Sequence, residues 1–192
     1  MRWRVLLAAG VLAATSVAAN AGLVEVYAAG TGTGTGTFGS TFELWFSYDS
    51  DAVPSSSSTT TASYVGAISD FRFESGSVVI DDPTPSGINT MFLENTPDYD
   101  YLTAQTADGS SYFAQLDFFD TTASAFADTS LPGALSLDMF DFLSVVVSLT
   151  SEGGTFDGVL TELEGAIIPA PAAALLGVLG LGTVVWLKRR AA

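Results

Sequence analysis

The 192-residue chain contains no cysteine and no histidine. Without cysteine, no disulfide can staple the fold. Without either residue, Ser-His-Asp and Cys-His nucleophile arrangements and Cys/His metal sites are ruled out. Positive charge is nearly as scarce, with 6 Lys and Arg against 21 Asp and Glu. Arg2, Arg4, Lys188, Arg189 and Arg190 sit in the two ends, and only Arg72 shares the middle of the chain with the acids. Such a middle segment repels polyanions, which makes nucleic acid and anionic lipid poor partners. Helical periodicity is missing as well. No capping residue is followed by a long run of helical spacing, and Ser136–Phe142 is the one short-helix candidate.

What the middle does contain is short-range alternation. Leu23–Tyr27 reads as a first strand, and Thr41–Tyr48 is the clearest one, with Phe42, Leu44, Phe46 and Tyr48 on one face. Ala67–Glu74, Ser77–Asp81, Asn89–Glu94, Tyr99–Gln105, Ser111–Phe119, Leu143–Thr150 and Thr155–Leu163 follow the same pattern. Asp108-Gly109 between two alternating runs predicts a hairpin. The Thr-Gly repeat within Gly30–Gly39 reads as a flexible linker or long loop, and the Ser/Thr-rich stretch Asp49–Ala62 as another loop. These strands predict an all-β domain over residues 22–165, an antiparallel β-sandwich with a jelly-roll arrangement as one form.

The two ends differ from the middle. Arg2 and Arg4 precede an apolar stretch, Val5–Ala14, and Ala19-Asn20-Ala21 fits a small-x-small cleavage site. Residues 1–21 therefore read as a signal-peptide helix cut after Ala21, which calls for a signal peptidase and an export machinery. Residues 166–192 hold Ile168-Pro169-Ala170-Pro171, the uncharged run Ala172–Leu187, and Lys188-Arg189-Arg190. As a helix that run spans roughly 24 Å, and Ile167 and Ile168 bring it close to the ~30 Å hydrocarbon core. The expected element is a C-terminal transmembrane helix. Lys188, Arg189 and Arg190 stay on the cytoplasmic side, and everything before Pro169 lies outside. A plain membrane anchor is the alternative to a removable tail.

Pro169-Ala170-Pro171, the apolar run and the basic cluster together resemble the PEP-CTERM sorting signal of Gram-negative bacteria. That family's motif is Pro-Glu-Pro, commonly preceded by Val; here Ile168 replaces Val and Ala170 replaces Glu. The resemblance implies recognition and tail removal by an exosortase-type membrane sorting enzyme. It also implies export across the inner membrane, anchoring by the C-terminal helix, and a final place at the cell surface or in an exopolysaccharide matrix.

Two kinds of chemistry remain open to the middle segment. Paired carboxylates could act as in glycoside hydrolysis, and clustered oxygens could bind calcium. The calcium candidates are Asp49 with Asp51, Asp81 with Asp82, and Asp98 with Asp100, none of them in an EF-hand pattern. Trp45, Tyr48, Tyr64, Tyr99, Tyr101 and Tyr112 are candidates for stacking on sugar rings, and Arg72 for a structural ion pair. The leading expectation is an exported, non-catalytic surface or matrix protein that needs no cofactor. A calcium-dependent carbohydrate-binding module is the runner-up, and an acid-dyad glycosidase comes third.

Overall fold

The computed structural model describes residues 22–150 and 153–168. The signal-peptide segment with Ala19 and Ala21 lies outside the described residues. So do Pro169, Ala170, Pro171, Lys188, Arg189, Arg190 and the apolar run between them. Among the described residues no helix is long and apolar enough to cross a membrane.

Gly22–Ile167 is built from twelve strands: β1 Leu23–Gly34, β2 Thr41–Asp49, β3 Ser56–Ser57, β4 Thr61–Val65, β5 Ile68–Ser75, β6 Val78–Asp82, β7 Asn89–Asn95, β8 Asp100–Ala107, β9 Tyr112–Asp120, β10 Ala134–Ser136, β11 Phe142–Leu149 and β12 Thr155–Ile167. All pairings are antiparallel, as the alternation predicts. In β9, Tyr112, Ala114, Leu116 and Phe118 point into the core while the residues between them are only half-buried. The Asp108-Gly109 hairpin forms between β8 and β9. Gly109 takes a φ of 86°, and the Asp108 carboxylate accepts the Ser110 and Ser111 N–H groups. Ser136–Phe142 holds only one 3₁₀ turn, Leu137–Met139, between two strands.

The strands follow one hydrogen-bonded path, β3-β4-β7-β8-β9-β11-β12-β1-β2-β5-β6, with β10 added to β12. The all-β, antiparallel architecture is as expected, and its single sheet curls into a half-barrel. Its arms face each other across one core. Phe71 of β5 stacks on Tyr112 of β9, ring centroids 5.6 Å apart and planes 12° apart, although four strands separate them along the sheet. The chain passes directly from one arm to the other at Val65–Ile68, where Gly66 takes a φ of 81°. No ladder joins the arms there. Instead the Asn89 side chain accepts the Ile68 N–H at 2.9 Å and donates to its carbonyl at 2.6 Å.

The Thr-Gly repeat is not a linker. Residues 31–34 complete β1, paired with β12 from Thr31↔Val159 to Gly34↔Phe156. Thr31 and Thr33 are exposed, and the alternating glycines leave room for aromatic rings. A Cβ on Gly32 would lie 2.6 Å from Phe156 Cζ and 2.4 Å from the Asp157 carbonyl oxygen. One on Gly30 would lie 2.1 Å from the Val159 carbonyl oxygen. The rings supply the apolar cover that these glycines lack. Asp49–Ala62 likewise contains β3 and the start of β4, with Ala62 and Tyr64 buried between more exposed Thr61, Ser63 and Val65.

Candidate functional site

The outer face of β1, β2 and β5 carries the most distinctive exposed chemistry. Val26 and Ala28, Leu44 and Phe46, and Phe71 and Phe73 are buried. Strand alternation therefore turns Tyr27, Trp45 and Arg72 outward. Register then aligns them in a row across five strands. Glu164 of β12 faces Tyr27, Tyr27 faces Trp45, Trp45 faces Arg72, and Arg72 faces Asp81 of β6. The Tyr27 and Trp45 rings lie 5.5 Å apart at 46°. The Arg72 guanidinium carbon is 5.8 Å from the Trp45 ring centre, within cation–π range.

Arg72 also makes the ion pair expected of it. Its Nε donates to Glu74 at 2.9 Å, Nη2 contacts the same carboxylate oxygen, and Nη1 approaches Asp81 at 3.5 Å. Exposed pairs of this kind contribute little to stability. Their effect here is positional, holding the guanidinium plane beside the indole. Burial, and then the charges of Glu43, Glu162 and Glu164, raise the Tyr27 phenol above its ordinary value. It therefore remains a neutral hydroxyl donor at physiological pH. The row thus offers two adjacent ring faces, one cation and a carboxylate rim.

No protein-family model, curated protein or solved structure matches this chain. What the site can do rests on its own chemistry.

The remaining aromatic candidates divide by burial. Tyr48, Tyr64 and Tyr112 belong to the core, and their hydroxyls serve the fold. Tyr48 donates to the Pro132 carbonyl at 2.6 Å and Tyr64 to that of Thr129 at 2.5 Å, tying the 121–133 loop across one end of the sheet. Tyr112 donates to Asp82 at 2.8 Å. Tyr99 and Tyr101 are half-exposed and gather around Phe119, at 5.4 and 6.3 Å between ring centres. Burial and a hydrogen bond to Asp117 push the Tyr101 phenol up to about 12. Tyr27 and Phe119 were absent from the sequence candidates. Their signal was available in the alternation, since Tyr27 lies between inward-facing Val26 and Ala28.

The acidic candidates are placed apart. Asp49 ends β2 and Asp51 lies in the turn after it, where Asp49 accepts the Asp51 N–H and Asp51 accepts that of Gly22. Asp81 meets Arg72 on the outer face, while Asp82 accepts from Tyr112 and from the Thr84 N–H. Asp98 is exposed in the turn before β8, and Asp100 is fully buried. Among the described residues no group of three or more carboxylates is arranged to hold a metal ion.

Sequence reasoning also missed the acid with the richest set of bonds. Asp120 ends β9 opposite Asp100 and is 3% exposed. Its Oδ1 accepts the Thr122 N–H at 2.8 Å and the Thr122 hydroxyl at 2.7 Å. Its Oδ2 accepts the Ser124 and Ala125 N–H groups at 2.7 and 2.9 Å. Asp100 accepts the Phe126 N–H at 2.9 Å. Asp100 and Asp120 are both engaged in shaping the 121–126 loop, where Ala123 sits at a φ of 52°. Burial works to raise the Asp120 carboxyl, and the Thr122 hydroxyl with the loop N–H groups outweighs it, holding the group well below the usual carboxylate range.

Proposed function

We propose that this chain is an exported, non-catalytic surface or matrix protein that holds polysaccharide against the outer face of its sheet. The observation that carries the reading is the Tyr27–Trp45–Arg72 row. Sugar rings present apolar C–H faces that stack on aromatic side chains, and hydroxyls that pair with carboxylates and guanidinium. Both kinds of partner stand side by side here. The facing arms of the curled sheet act as the two layers of a sandwich-like scaffold and keep the row rigid.

Strand register supports the membrane-linked part of the reading. Val24 of β1 pairs with Ile167 of β12, so the domain begins and ends on two adjacent interior strands, at the same end of both. A signal peptide before Gly22 and a sorting tail beginning at Ile168 then leave from neighbouring points. The exosortase-type enzyme acts on the tail, and the polysaccharide is the partner of the β domain.

The test is affinity electrophoresis of the full chain in gels containing exopolysaccharide from a Gram-negative matrix. The wild type is expected to be retarded. Trp45→Ala is expected to weaken binding about tenfold or more, as truncation of a central tryptophan commonly does. Equal retardation of the two proteins would remove the row from the reading. Intact-mass measurement of the exported protein tests the sorting step. Loss of the segment following the Pro169-Ala170-Pro171 motif is expected, and a mass that retains Ala172–Ala192 leaves only the plain anchor.

A further inference from the structure

The strand path has two ends, and they differ in kind. At one end β3 is two residues long, with Pro54 close before it. Short strands and nearby proline are common ways to blunt a sheet edge. At the other end β6 runs for five residues, Val78–Asp82, paired with β5 on one side and, among the described residues, with no strand on the other. In an antiparallel pair alternate residues turn their N–H and C=O groups away from the partner. The free side of β6 is therefore a template for another strand. Val78 and Ile80 face the core, whereas Val79 is 60% exposed and Asp81 lies beside it on the solvent side.

This edge runs along a cleft of about 720 Å³. The facing wall includes Asp108, Ser111 and Tyr112 from the β8–β9 hairpin and Leu149 from the end of β11. Asp81, Asp82 and Asp108 all border the cleft, Asp81 being paired with Arg72 on the outer face, and none of the described lining residues is basic. The carboxylates are fixed in place. Tyr112 and the Thr84 N–H hold Asp82, and the Ser110 and Ser111 N–H groups hold Asp108. The Ser111 N–H, then that of Ser110, keep the Asp108 carboxyl below its ordinary range, so it is charged at neutral pH. A second copy of this chain would bring a like-charged strand against the same carboxylates, and like charges opposite one another destabilise a ladder. A segment bearing lysine or arginine reverses that sign.

We propose that the free edge of β6, opening into this cleft, is a docking site for an extended, basic segment of another protein, added as a further strand. Main-chain hydrogen bonds supply the affinity in this mode of recognition, and alternate side chains supply the specificity. Lysine or arginine side chains of the guest reach Asp81, Asp82 and Asp108, while its backbone pairs with β6. At roughly 3.3 Å per residue, the five residues of β6 accommodate a guest segment of about five to seven residues. The site adjoins the Trp45 row and shares Asp81 with it, whose carboxylate approaches Arg72 on the outer face.

The experiment is fluorescence anisotropy of the full chain with a labelled, end-blocked peptide of seven residues alternating Lys and Thr, at low salt. The control has the same sequence with every backbone nitrogen methylated. That change keeps the charge and removes the donors a ladder needs. The unmodified peptide is expected to bind, to slow hydrogen exchange at 77–83, and to lose about tenfold or more in affinity on methylation. Equal binding of the two peptides would reduce the interaction to general attraction by an acidic domain and overturn the proposal. Absence of binding, or protection confined to other strands, overturns it equally. No protein variant is needed, so misfolding cannot confuse the result.

Discussion

Phe156→Ala is expected to lower the unfolding free energy by about 3–5 kcal/mol, the usual range for truncating a buried aromatic residue. Phe156 is fully buried on β12 and centres an aromatic cluster. Phe38, Phe42 and Phe73 lie 5.6, 5.6 and 5.7 Å from it between ring centres. Its ring also fills the space over Gly32, Gly34 and Gly158, where added Cβ atoms would come within 2.6, 3.0 and 2.7 Å of it. The loss should fall near the top of the range, because glycines have no side chains that could collapse into the cavity. A domain of this size is stable by only about 5–15 kcal/mol, and no disulfide compensates. Urea unfolding of the full chain should show a lower midpoint with an unchanged slope. A loss below about 1 kcal/mol would mean that the glycine-lined strand does not depend on this ring.

Asp120→Ala is expected to cost about 3 kcal/mol at neutral pH, because it strands several part-buried donors at once. The N–H groups of Thr122, Ser124 and Ala125 all lose their acceptor. The loop they belong to continues to Thr129 and Pro132, whose carbonyls receive the Tyr64 and Tyr48 hydroxyls. Acidity should separate the wild type from the variant. The folded Asp120 carboxyl titrates below its unfolded value, which lies near about 4. Its contribution is therefore complete above that value and declines as pH falls toward the folded one. The stability gap between wild type and Asp120→Ala should be widest near neutrality and narrow below about pH 4. A gap that stays constant from pH 7 to pH 3 would show that the hydrogen bonds do not favour the charged form.

Much of the fold was legible from local pattern. Phe42, Leu44, Phe46 and Tyr48 announce β2, and Tyr112, Ala114, Leu116 and Phe118 announce β9, because a sheet with one buried face imposes period two on its strands. The misread segments lacked that signal. Thr31–Gly34 has no apolar side chain to alternate, and its glycines acquire a purpose from the rings of Phe38 and Phe156, the latter more than a hundred residues away. In β4 the inward positions are Ala62 and Tyr64, set among Ser and Thr that resemble a loop. Ser136–Phe142 was expected to be a short helix, but pairing of Ala134–Ser136 with β12 leaves space for only a single 3₁₀ turn.

The candidate site shows the same division. Trp45 stood out as a stacking candidate and Arg72 as an ion-pair candidate, but nothing local indicated that they are neighbours, or that Tyr27 completes the row. Composition excluded cysteine and histidine chemistry and made the middle acidic, and period-two alternation predicted a small antiparallel β domain there. Only tertiary structure decided that the strands join into one curled sheet, that Tyr64 faces inward, and that β6, among the described residues, is left with a free edge. The reason is physical. Periodicity along a strand reports which side chains point in or out. Register and strand order depend on hydrogen bonds and packing between segments far apart in the chain, and these form only when the whole core closes.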